Sequence, residues 1–287
     1  MIAVFKHELR LHFQSLTAYV FGAFLLVFIG IGAMLYNLQA AVSNFEYVLS
    51  FGSMVFVVIV PILTMRSIAE ERKQKTDQLL YSLPISTTEV VVGKFLALLL
   101  VYLLPLALIS LYPLIFAQYG DVYLLTSYGS LLAFFLVGAA LIAVGMFLSS
   151  LTDNQGFAAG MGIAVILFNY FSVSLAEYTS ATAFGSAVAL FLLAGLFGWL
   201  IKNLTRNETV GYSIGLALMA IVTAVFLWDD SKFEGLLPDI MKKLSLFDRL
   251  ETFVSGVFDL TALVYFLSVI VFFLFLTVQS LEKRRYN

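Results

Sequence analysis

The chain has no cysteine, only two histidines and few charges: Asp, Glu, Lys and Arg make up 12% of its 287 residues. The missing thiols exclude disulfides, thiolate catalysis and thiolate metal sites. The two histidines bracket His7-Glu8-Leu9-Arg10-Leu11-His12. A zincin helix needs its histidines four apart, and the spacing here turns them roughly 140° away from each other. No phosphate-cradling loop is present either. Gly93-Lys94 is followed by Phe95 rather than Ser or Thr, and Thr88 stands where a Walker A loop needs its earlier glycine. Any ATP-driven step would therefore use a nucleotide site on another polypeptide.

Ionisable residues are also scarce inside the apolar runs, so proton relays and ion-coupled carriage lack their usual groups. No nucleophile–base pair or metal constellation suggests a membrane enzyme. Asn169 is the most polar deep position and fits two roles, a hydrogen bond between helices or a substrate contact.

What the chain has is apolar length: 61% of it is hydrophobic. Eight runs, about 17–36, 46–65, 90–117, 127–149, 156–176, 183–201, 210–228 and 257–280, approach the roughly 20 residues that cross a bilayer as helix. No short alternating segments suggest a β-barrel. The expected fold is an all-α polytopic membrane protein in one domain, with about eight transmembrane helices. Lys6 and Arg10 precede the first run, but that run is too long for a signal-peptide core and lacks a small-residue cleavage site. It reads as a retained span.

Placing both termini in the cytoplasm puts twelve Lys and Arg residues inside. Only Lys232, Lys242, Lys243 and Arg249 remain outside, all within residues 229–256. Residues 1–16 read as an interfacial helix, with Phe5, Leu9, Phe13 and Leu16 at helical spacing beside Lys6 and Arg10.

One charged island, residues 66–89, stands between the second and third runs. Residues 66–83 lack Gly and Pro and are rich in helix formers, which predicts a helix ending at Pro84. Ser86 lies three residues before Glu89, a capping box opening the third span. Leu79, Leu80 and Leu83 form an apolar knob beside the charges, suited to docking in a groove on a partner protein. The bland alternative is a solvated loop that stops one span and orients the next.

The island resembles the ABC-2 permease family, in its gliding-motility and nitrous-oxide-reductase-accessory branch. The likeness lies in Glu71-Arg72, then Thr76-Asp77-Gln78-Leu79-Leu80-Tyr81-Ser82-Leu83-Pro84-Ile85-Ser86, then Gly93-Lys94-Phe95. Further likeness comes from Ser149-Ser150-Leu151-Thr152-Asp153-Asn154-Gln155, from Leu244 through Leu260, and from the basic tail Leu281-Glu282-Lys283-Arg284-Arg285. Where many relatives have Gly-Thr, this chain has Lys75-Thr76.

The resemblance implies a coupling region that receives motion from a nucleotide-binding subunit. Its residues would be Glu71, Arg72, Lys75, Thr76, Asp77, Leu79, Leu80 and Leu83. It also implies a six-span core, so that residues 178–230 would be a two-span insertion. The chain itself would hold no cofactor. ATP and Mg would sit on a cytosolic ABC ATPase, and a second permease copy or a related permease would complete the assembly in the lipid bilayer of a bacterial cell membrane. No nucleic acid is expected.

Gly156 and Gly160, a small-xxx-small pair, would pack helices either within the subunit or between copies. The function implied is an ATP-driven export permease. The alternative is an ATPase-linked anchor passing force to an external partner, with residues 229–256 binding that partner or else closing the outer mouth.

Overall fold

The computed structural model describes residues 1–76, 85–179, 182–205 and 208–285, and every regular element among them is helical. The helices are α1 (Ile2–Gln14), α2 (Leu16–Ala33), α3 (Glu46–Ser53), α4 (Phe56–Thr64), α5 (Ala69–Gln74), α6 (Thr87–Ile109) and α7 (Tyr112–Phe116). They continue as α8 (Leu124–Leu151), α9 (Gln155–Tyr178), α10 (Ala183–Thr205), α11 (Glu208–Trp228), α12 (Leu236–Leu244), α13 (Leu246–Val254) and α14 (Leu260–Arg285).

Each of the eight expected runs is helical, but they are not eight equal spans. Six stretches are long and apolar enough to cross a membrane: Leu16–Gln39, Thr87–Phe116, Leu124–Leu151, Gln155–Tyr178, Gly211–Trp228 and Leu260–Lys283. The second run is broken instead, with Glu46–Ser53 and Phe56–Gln74 meeting at 59°. The break follows Gly52-Ser53, where the Ser53 hydroxyl donates to the Ser50 carbonyl at 2.7 Å. Gly/Ser pairs are common kink sites, and such a bond competes with the helix ladder. The sixth run lies within α10, Ala183–Thr205, whose 23 residues are of spanning length.

Two compact units result, Met1–Tyr170 with Leu246–Asn287, and Phe171–Ser245. The first is organised around α8. Fully 78% of the apolar window of α8 is buried, against 11% for Gly211–Trp228, so α8 is the axis of the unit. Its small residues Ala133, Ala139, Ala140 and Ala143 let neighbours approach closely. Tyr102 of α6 is wholly buried there, and its hydroxyl donates to the Phe134 carbonyl at 2.8 Å. Phe56 packs on both rings, 4.6 Å from Phe134 and 5.8 Å from Tyr102.

Near the start of α8, Ser127 donates to a carboxylate oxygen of buried Glu46 at 2.9 Å, and Ser130 donates to the Phe253 carbonyl at 3.0 Å. Ser50 bonds Glu251, which fastens α13 to α3. The second unit contains the α10–α11 hairpin. A Cβ on Gly198 would lie 2.6 Å from the Gly215 Cα, so the two backbones touch where both residues are glycine. Lys202 reaches Glu208 and the Tyr212 hydroxyl, each at 2.8 Å, and closes the turn.

Candidate functional site

Ser86 caps α6 by accepting the Glu89 N–H at 3.2 Å, as the capping box predicts. Two turns further on, Gly93, Lys94 and Phe95 do three different things. A Cβ on Gly93 would stand 3.2 Å from Val4, so glycine is what lets α1 lie against α6. Phe95 is buried in the core. Between them, Lys94 is 2% exposed, and its Nζ donates to Glu8 Oε1 at 2.6 Å and to Glu71 Oε1 at 2.7 Å. One ammonium thus joins α1, α5 and α6. Buried charges need such partners, because an unpaired ion in a low-dielectric interior is costly.

The inward face of α1 is Val4, Glu8 and His12, all buried. Beside it the apolar row Phe5, Leu9 and Phe13 is half-buried, and Leu16 is exposed. Leu9 and Phe13 pack at the edge of the core, and the polar stripe turns inward because Lys94 waits there. Burial holds the His12 pKa below its ordinary value. The Lys94 charge adds to that shift and Glu8 opposes it. His7 is exposed on the other side.

The island is also not one long helix. Residues 65–68 turn, α5 runs only from Ala69 to Gln74, and Lys75 adopts the left-handed conformation at φ 58°. Lys75 N–H donates to the Arg72 carbonyl at 3.1 Å and Thr76 N–H to the Glu71 carbonyl at 3.0 Å. Those two bonds are a Schellman stop, which ordinarily takes glycine at the left-handed position. Lysine stands at the position that glycine ordinarily takes, so helix propensity yields to a stop signal whose usual residue is missing.

At its other end α5 is held by Ser149. The Ser149 hydroxyl accepts the N–H groups of Ile68 at 3.3 Å and Ala69 at 3.1 Å, and donates to the Met65 carbonyl at 3.1 Å. All three hydrogen-bonding capacities of that hydroxyl are engaged. Ser149 and Ser127 stand near opposite ends of α8, about 33 Å apart at helical rise, roughly the thickness of a hydrocarbon core.

Of the expected coupling residues, Glu71 is in the lysine cluster, Arg72 is buried, and Lys75 and Thr76 form the stop. Asp77, Leu79, Leu80 and Leu83 lie outside the described residues. Gly156 opens α9, its N–H donating to Asn154 Oδ1 at 2.9 Å. A Cβ on Gly160 would meet nothing within 4 Å, so among the described residues no helix makes a close approach there. Asn169 accepts the Leu246 N–H at 3.0 Å, which satisfies the first turn of α13. Glu8, Lys94 and Ser149 were not among the expected site residues. Lys94 and Ser149 had a signal in the Gly-Lys-Phe and Ser-Ser stretches already quoted, without any hint of what each touches, and Glu8 stood only between the two histidines.

A polytopic helical membrane protein whose charged segment between α4 and α6 is tied by a buried ion cluster to its spans is the class that fold and site define. The chain belongs to the ABC-2 transporter family: the family model described as ABC-2 family transporter protein matches residues 29–228. It is a multi-pass membrane protein with a permease role in an ABC transporter. The matched range contains Glu71 and Lys94 and runs through the α10–α11 hairpin. No curated protein and no solved structure gives a match.

Proposed function

We propose that this permease is driven by a separate cytosolic ABC ATPase gripping the segment that follows α5, and that it exports a hydrophobic or amphipathic cargo. ATP and Mg belong to that partner, and a second permease copy or a related permease completes the transporter. The observation that carries this reading is the bond of Lys94 to both Glu8 and Glu71. A push delivered beyond Lys75 meets a short helix fixed at its base by Ser149 and on its flank by Lys94. Separating one partner from a buried ion pair costs about 3–5 kcal/mol, so the joint resists slipping and passes displacement to α6 and α1.

The test is co-purification of the tagged chain with its partners, then ATP hydrolysis in vesicles. Leu79→Glu with Leu80→Glu is expected to lose the ATPase while the chain still inserts. Lys94→Met is expected to keep the ATPase bound but to blunt stimulation of hydrolysis by an amphipathic cargo. An ATPase retained by the double leucine variant would overturn the docking role of that segment. Hydrolysis stimulated only by an external protein would favour an anchor that moves no small cargo.

A further inference from the structure

Helix α12 carries Leu236, Leu237, Ile240, Met241 and Leu244 along one side, and none of its residues is buried. Asp239, Lys242 and Lys243 are exposed, while Leu244 at the end of the apolar stripe is 57% exposed. Leu236, Leu237, Ile240 and Met241 are half-buried, so the stripe is covered only in part and lies open at Leu244. Three observations say what covers it. The helix starts eight residues after α11 ends, and α11 ends in Leu227 and Trp228, which are 79% and 92% exposed. Tryptophan at the end of an apolar span is the usual marker of the membrane–water interface. The charges are also segregated. Asp229, Asp230 and Glu234 precede α12, and Asp229 is already 3.5 Å from Lys232. The last turn of α12 carries Lys242 and Lys243 alone, next to the exposed Leu244.

We propose that α12 lies in the plane of the membrane surface, its apolar face among acyl chains and its two lysines against anionic lipid phosphates. The arrangement follows the rule for interfacial helices, in which buried apolar area and attraction to anionic lipid act together. It also accounts for cations in a segment that the positive-inside bias would otherwise keep free of them.

The absence of cysteine allows the test on the full chain. Met241→Cys on the apolar face and Asp239→Cys on the polar face are labelled with a small environment-sensitive fluorophore. The labelled proteins are reconstituted into vesicles of phosphatidylcholine with or without phosphatidylglycerol, carrying a nitroxide just below the headgroups. The label at 241 is expected to be quenched more strongly than that at 239, and more with phosphatidylglycerol present. Lys242→Gln with Lys243→Gln should weaken the surface-bound state by about fivefold per lysine, only in the anionic vesicles and less at high salt. Equal quenching at 239 and 241, or a label at 241 shielded from nitroxide in both lipids, would overturn the proposal and assign the face to protein, either a second copy or a lid. Neither outcome depends on an ATPase partner.

Discussion

Lys94 Nζ lies 2.6 Å from Glu8 Oε1 across 86 residues of sequence, and that contact fixes the N-terminal helix to the membrane domain. With Glu71 it makes two carboxylates answer to one ammonium. Lys94→Met removes the cation and leaves both acids facing each other, so it should destabilise the detergent-purified chain by about 3–5 kcal/mol. Adding Glu8→Gln and Glu71→Gln should recover most of that loss, since a neutral cluster carries no unpaired charge. Thermal unfolding of the single and triple variants checks this. A triple variant no more stable than Lys94→Met would mean that packing, not charge, is lost.

Lys75 adopts the left-handed conformation at the stop of α5. A non-glycine residue there bears roughly 1 kcal/mol of steric cost, which glycine avoids at some expense in unfolded-state entropy. Lys75→Gly should therefore raise stability by a few tenths to about 1 kcal/mol, and Lys75→Val should lower it by about 1 or more. Protease nicking after residue 74, slower in the glycine variant and faster in the valine variant, is the readout.

His12 supplies a pH dependence with a definite sign. Burial keeps its docked pKa below the ordinary 6.5, so an undocked α1 takes up the proton first. Docking is then constant above about pH 6.5 and weakens as pH falls from there toward the docked value. Hydrogen exchange of residues 2–14 should speed up on going from pH 7.5 to 5.5, after correction for intrinsic rates. His12→Leu should remove that extra loss of protection. An unchanged slope in His12→Leu would move the sensitivity to another group.

Gly93→Ala should push α1 off α6, because the new Cβ meets Val4 at 3.2 Å and the Met1 carbonyl at 3.3 Å. Overpacking of this kind costs about 1–3 kcal/mol. Val4→Ala in the same chain should return part of it, so the two changes should be strongly non-additive. Additive losses would show that the helices do not meet there.

The apolar runs were legible because hydropathy depends on local composition, and each of the eight is helical, the second in two pieces. Their unequal character was not. The 59° break needs Gly52-Ser53 to be read as a kink inside a continuous apolar run. In the island, Ser86 was readable as a cap because a capping box is a local four-residue pattern. The early stop at Gln74 was not, because a lysine occupied the position where glycine would have announced it. The lysine cluster was out of reach for another reason. Glu8, Glu71 and Lys94 are brought together only by the packing of α1 and α5 on α6, and nothing local marks Lys94 as buried. Asn169 stood in the sequence between a helix-to-helix hydrogen bond and a substrate contact, and its partner here, the Leu246 N–H, is a backbone group that no side-chain pattern reveals.

Gly198 and Gly160 lead to opposite predictions. At Gly198 a Cβ would strike the Gly215 Cα at 2.6 Å and the Gly211 carbonyl at 3.0 Å, and backbone atoms cannot swing aside as a side chain can. Without a hydrophobic drive between helices in lipid, close packing is much of what holds such a pair. Gly198→Ala should therefore splay the α10–α11 hairpin and lower stability by about 1–3 kcal/mol. Gly160→Ala meets nothing in its own chain and gains helix propensity, up to about 1 kcal/mol. Unfolding of the two variants in detergent should diverge in sign. If Gly160→Ala leaves unfolding unchanged or improved yet abolishes chemical cross-linking between copies, its open face belongs to the contact with a second chain. If both variants behave alike, the hairpin is not held by its glycines.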